Sequence, residues 1–128
     1  MNNSFIMEIV NFIEDNIYKD FSLDNLENKF GISKSFLIKA FHVITTITIF
    51  EYVRNRRLYL AALDLINTDD KIIDISTRYV YERPECFTRA FKRRYGYTPL
   101  DFRNIKPAIS KYNRFIVNIN ILGGDWSE

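Results

Sequence analysis

One part of this chain is a second copy of another. Leu26-x-x-Lys29-Phe30 is matched 49 positions later by Ile75-x-x-Arg78-Tyr79. With one inserted residue, Leu37-x-Lys39-Ala40-Phe41 is matched 50 positions later by Phe87-x-Arg89-Ala90-Phe91. A repeated apolar and basic pattern means one supersecondary unit built twice. Chance resemblance between two amphipathic helices would match the apolar sites, but not the basic residue before each Ala-Phe pair.

The local signals give each unit the same parts. Ser22 and Asn25 form a loose capping pattern ahead of a short helix near 23–30. Gly31 tolerates the positive φ of a helix-ending turn. Ser33 can cap a second helix over about 34–44, with Leu37, Ala40 and Phe41 facing inward. A short helix, a turn and a second helix make a helix-turn-helix. In the second copy, 72–79 reads as the short helix, Pro84 suits the first turn of a helix over 84–95, and Gly96 closes it. Pro99 opens a last short helix ending near Arg103.

Other elements surround the two copies. Ile6, Ile9, Val10, Ile13 and Ile17 recur at helical spacing in a first helix over 5–18, with Ser4 as its expected cap. A long helix over 49–66, capped by Thr48, joins the copies. At about 1.5 Å per residue it spans roughly 27 Å. Two units held so far apart could reach groove segments about one DNA turn, roughly 34–36 Å, from each other. The expected fold is all-α, with a first subdomain over 1–48, the linker helix over 49–66, a second subdomain over 67–104 and an extension over 105–128. The extension's SKYNRFIVNINIL alternates polar and apolar residues as a strand does.

Charge is uneven although the net value is only +2. Residues 29–57 carry Lys29, Lys34, Lys39, Arg54, Arg56 and Arg57 against Glu51. Residues 78–94 carry Arg78, Arg83, Arg89, Lys92, Arg93 and Arg94 against Glu82 and Glu85. Acidic stretches over 8–28 and 64–74 separate these zones. A polyanion touched in two places suits the pattern, as does scattered surface charge. Lys92-Arg93-Arg94 ends the second unit's longer helix, where a phosphate contact is expected.

Enzyme chemistry finds little support. A single cysteine, Cys86, excludes an internal disulfide and a Cys-rich metal site. A single histidine, His42, excludes paired-histidine metal motifs. No cofactor is expected. Neither a signal peptide nor a membrane span is read, so a cytoplasmic protein is expected. Cys86 has a sensor reading, from a helix N-terminus and nearby cations, beside the stronger reading of a small helix residue. Phe30, Phe36, Phe41, Phe50, Phe87 and Phe91 read mostly as core, with Phe36 the one expected at the surface. The apolar run His42–Phe50 reads as a core turn, or as a partner-binding patch.

The stretch from Ser22 to Arg103 resembles the DNA-binding domain of the AraC/XylS family, in its short MarA/SoxS/Rob subgroup. The resemblance lies in FSLDNLENKFGISKSFLIKAF, YVRNRRLYLAALDLI and FTRAFKRRYGYTPLDFR. The last of these has the most specific ending, aromatic-Gly-x-Thr-Pro-x-x-aromatic-Arg. The resemblance implies seven helices, with the third and sixth entering adjacent major grooves of double-stranded DNA. It implies an activator that recruits RNA polymerase. By position it places Ser35, Ile38 and Lys39 against bases from the first unit, and Pro84, Glu85, Cys86 and Arg89 from the second. Arg54 and Lys92 fall where such proteins touch phosphate.

The chain departs from the family at several of these sites. Ser35 and Ile38 are small or apolar, which leaves Lys39 and Lys34 to carry the first unit's polar contacts. Glu85 can accept from cytosine N4, and Arg89 is the best candidate for base readout. Val80 and Thr46 stand where the family has glycine. A monomer on DNA is expected, with the extension offering a route to a dimer. The competing reading is a degenerate helix-turn-helix module that binds another regulator or RNA polymerase. Ser35, Ile38, Glu85, the 42–50 run and the strand-like tail motivate it.

Overall fold

The computed structural model describes residues 3–112, and these contain seven helices. They are α1 (Asn3–Asp15), α2 (Leu23–Phe30), α3 (Lys34–Thr45), α4 (Ile49–Asn67), α5 (Ile72–Arg78), α6 (Pro84–Tyr95) and α7 (Pro99–Ile105). The all-α architecture is as expected, and there is no strand among the described residues. All but the first three residues of the strand-like tail lie outside them. No single helix among the described residues is long and apolar enough to cross a membrane.

The chain divides into two compact units, with the boundary between Val53 and Arg54. In the first, Ile6, Ile9, Val10, Ile13 and Ile17 are buried, as their spacing predicts. Helix α1 starts at Asn3, so Ser4 lies inside it and is not its cap. Phe12 meets both Phe21 and Phe30 edge-on at 6.2 and 6.1 Å, and Phe5 meets Phe30 at 5.4 Å. Such pairs are worth about 0.5–1.5 kcal/mol beyond their burial. Leu26, Leu37, Phe41, Ile49 and Tyr52 complete the buried apolar set. The Tyr52 hydroxyl donates to Glu14 Oε2 at 2.8 Å.

The second unit packs Leu58, Ala61, Ala62 and Leu65 of α4 with Ile75, Tyr79, Phe87, Phe91 and Phe102. Helix α4 therefore supplies core residues as well as a connection. A polar clasp joins α4 to α5. Arg78 donates from Nη1 to Asp64 Oδ2 at 2.7 Å and from Nη2 to Asp70 Oδ2 at 2.9 Å. The Tyr79 hydroxyl donates to the same Asp64 oxygen at 2.7 Å. Arg103 of α7 donates to the carbonyls of Leu65 and Thr68 at 3.0 and 3.2 Å. These carbonyls lie at the C-terminal end of α4, where helical acceptors lack partners.

Local capping accounts for the helix boundaries. Ser33 Oγ accepts from the Phe36 N–H, and Thr48 Oγ1 from the Glu51 N–H. The Ser22 N–H donates to Asn25 Oδ1 at 2.8 Å, which closes one half of a capping box. Gly31 and Gly96 take left-handed φ values of 69° and 81°. Thr46 and Val80 take φ 68° and 71° in the same region, so both turns keep a glycine-like course with β-branched residues in them. That conformation costs an L-residue roughly 1–2 kcal/mol.

Two outcomes test this description. Thr46 is exposed, so Thr46→Gly removes strain without losing packing. It should raise stability by about 0.5–1 kcal/mol, after subtracting glycine's extra unfolded entropy. Urea unfolding should show a higher midpoint at unchanged m. The second outcome concerns acid. The Arg78 guanidinium beside Asp70 holds that carboxyl below the usual carboxylate range. Its stabilisation is present above the unfolded value, near 3.9. It is lost as pH falls through the lower folded value. Asp70→Asn should remove that part of the acid sensitivity in a pH series of urea unfolding curves.

Candidate nucleic-acid interface

The second helix of each unit is set by the same buried residues at the same spacing. Leu37 and Phe41 are buried on α3, and Phe87 and Phe91 on α6. Burial of these faces leaves the opposite arc of each helix in solvent. On α6 that arc holds Pro84, Glu85, Cys86, Arg89, Lys92 and Arg93, all exposed. On α3 it holds Lys34, Ser35, Phe36, Lys39, His42 and Val43, all exposed. The two sets differ by 50 at every position, from Lys34 and Pro84 to Val43 and Arg93.

The structural repeat is longer than the one legible in sequence. After α3, Thr46 takes the left-handed cap, Thr48 caps α4, Ile49 is buried, Phe50 is exposed and Tyr52 is buried. After α6, Gly96 takes the left-handed cap, Thr98 Oγ1 accepts from the Asp101 N–H, Pro99 is buried, Leu100 is exposed and Phe102 is buried. Phe50 is thus not core as expected, but 54% exposed at the same register as Leu100. The 42–50 run is neither wholly core turn nor wholly patch. Thr45 and Ile49 are buried while Val43 and Phe50 face outward.

Most sequence-proposed site residues share these arcs. Ser35 and Lys39 lie on the α3 arc, and Glu85, Cys86, Arg89, Lys92 and Arg93 on the α6 arc. Ile38 is half-buried, as is Thr88 at the equivalent place, so it sits at the edge of the arc. Phe36, His42 and Val43 were not among the proposed contacts. Their register against Cys86, Lys92 and Arg93 is the signal that finds them.

Lys34 is engaged within its own unit. Its Nζ lies 2.8 Å from Asp24 Oδ1, and the hydrogen bond to Asp24 raises its pKa. Its backbone N–H donates to Glu27 Oε2 at 2.9 Å. Two acidic residues of α2 therefore occupy the start of α3.

In the second unit the cations are sorted by their neighbours. Arg56 donates to the Tyr112 carbonyl at 2.8 Å, and Arg94 lies over the Tyr112 ring at 5.2 Å. Both are engaged in holding the segment after α7. Arg54 is exposed. Burial pushes the Tyr81 phenol up, while Arg57 and Arg54 act against that shift and Cys86 adds to it. Tyr81 lies in the turn before α6. Among the described residues no group of three or more His, Cys, Asp or Glu side chains could hold a metal ion.

Comparison with known proteins agrees with this geometry. A family described as a helix-turn-helix domain matches residues 26–105. The regulatory protein SoxS of Salmonella typhimurium is 35% identical over 99 residues, covering 77% of this chain and 92% of that protein. The HTH-type transcriptional activator AarP of Providencia stuartii is 34% identical over 101 residues, covering 79% of this chain and 75% of that protein. The solved C-terminal domain of the response regulator yesN from Fusobacterium nucleatum has a TM-score of 0.68 at 27% identity, over 78% of this chain and 95% of that one.

The Asp24 pair gives this interface a specific prediction. Lys34→Ala should weaken duplex binding less than Lys39→Ala, because Lys34 must leave a carboxylate to reach phosphate. Asp24→Asn should strengthen binding, most visibly at low salt, where exposed charges are least screened. Fluorescence anisotropy with one labelled duplex at two salt concentrations checks both.

Proposed function

Because this chain belongs to the AraC-type family of helix-turn-helix regulators, we propose that it is a transcription activator that reads double-stranded DNA through α3 and α6. Each helix enters one of two neighbouring major grooves. The single observation that carries this reading is the doubled exposed arc, in which Lys39 and Arg89 occupy the same place on two like-built helices. A chain that carries its reading face twice needs no second copy to contact two grooves. It engages DNA as a monomer, unlike helix-turn-helix proteins that gain the second groove by dimerising.

The roles follow from chemistry. Arg89, at the middle of the α6 arc, can bond guanine O6 and N7 together. Glu85, one turn earlier, can accept from a cytosine amino group and disfavours phosphate. Lys92, Arg93 and Arg54 suit phosphates, which fix the register without reading sequence. The protein acts in the cytoplasm, and its activity is binding rather than catalysis. Recruitment of RNA polymerase is how a regulator of this kind would activate. The protein-only reading is less supported, since the relatives over three-quarters of the chain are named as regulators and activators.

Selection of bound duplexes from a random pool is the direct test. It should return a preferred sequence whose footprint covers two successive major grooves. Against that sequence Arg89→Ala should cost about 1–3 kcal/mol and relax preference at one base position. Lys92→Ala should weaken all duplexes alike and lower the salt slope by about one unit. A pool with no preferred sequence, or two variants that bind as wild type, would remove the docking assignment.

A further inference from the structure

The two arcs share a register and a central cation but differ in the residues around it. On α6 the positions 86, 89, 92 and 93 hold Cys86, Arg89, Lys92 and Arg93. On α3 the matching positions hold Phe36, Lys39, His42 and Val43. Phe36 is 50% exposed and Val43 is 79% exposed. Positions 36, 39 and 43 are three and four apart, so they form one stripe along α3 with Lys39 between two apolar groups. Large apolar side chains held in solvent on a fixed helix face mark an interaction surface. Its neighbours argue for the occupant. Lys39 in the middle favours an anionic partner, and the stripe holds on α3 the register that Cys86, Arg89 and Arg93 hold on α6. The apolar groups that a DNA major groove offers are the 5-methyl groups of thymine.

We propose that α3 reads thymine methyl groups through Phe36 and Val43, with Lys39 between them, so that the half-site under the first unit is selected for thymines while Arg89 selects guanine in the other. The inference rests on the DNA-reading function proposed above. It makes Phe36 and Val43 specificity-determining residues, while Ile38, half-buried, contributes mainly to packing.

The test removes the methyl groups and leaves the protein intact. On the selected duplex, each thymidine is replaced singly by deoxyuridine, and the affinity of the full chain is measured by anisotropy. One cluster of positions should each lose about fourfold, the equivalent of one buried carbon group. In Phe36→Ala the loss should vanish at one end of the cluster, and in Val43→Ala at the other. In Arg89→Ala the uracil penalties should persist. Both α3 substitutions are at exposed sites, so the fold is kept, and helical circular dichroism checks this. A preferred duplex in which no uracil costs more than twofold would overturn the methyl reading alone. So would penalties that survive in the Phe36→Ala, Val43→Ala double variant. A selection that returns no preferred duplex would overturn the DNA-reading function itself.

Discussion

Helices α3 and α6 are each held by an aromatic pair eleven residues apart. Phe41 of α3 packs on Tyr52 of α4 with centroids 6.3 Å apart, and Phe91 of α6 packs on Phe102 of α7 at 5.1 Å. All four rings are fully buried. A buried ring fixes the rotation of its helix, because turning the helix by one residue would move the ring into solvent. Fixing that rotation also fixes which residues face outward. The exposed arcs of α3 and α6 are therefore the complement of this packing, and the interface chemistry is written on whatever the core leaves free. The left-handed residues at 46 and 96 and the threonine caps at 48 and 98 serve the same end. They turn the chain sharply enough that the second ring of each pair returns to the first.

Much of this was legible in the sequence, and the reasons are local. Gly31, Ser33, Thr48, Pro84 and Gly96 each signal a boundary through their own backbone or side-chain chemistry, and each sits where that chemistry puts it. Where the repeat continues past Phe41, the letters diverge while the burial does not. Thr46 stands for Gly96, Ile49 for Pro99 and Tyr52 for Phe102. Only the accessible surface reveals that these pairs do the same work. Phe50 reads as core because it ends an apolar run. Register with Leu100 puts it outside, which no local signal states.

The interface was less legible than the fold, for a different reason. Exposure is decided by helix rotation, and rotation is decided by distant packing. Ile38 therefore reads as a contact and lies at the edge of the arc, while Phe36 and Val43 read as ordinary apolar residues and lie on it. Lys34 reads as a free cation, and its partner Asp24 is brought to it across the turn from α2. The identity of a residue says what it can bond. The neighbours that compete for that bond appear only in the folded chain.

The unequal chemistry of the two arcs has an energetic consequence under the proposed function. Contacts between cations and phosphates supply nearly all binding to arbitrary sequence. Two arcs built like α6 would hold any duplex firmly, and the many competing sites of a genome would then retain the protein. An arc built like α3 adds less to that general attraction, since it offers Lys39 where α6 offers Arg89, Lys92 and Arg93, and Lys34 already faces a carboxylate. What it adds depends on close fit to particular bases, and apolar contact is only weakly sensitive to salt. One cationic arc and one apolar arc thus raise the ratio of chosen to arbitrary sites by lowering the second quantity rather than by enlarging the first.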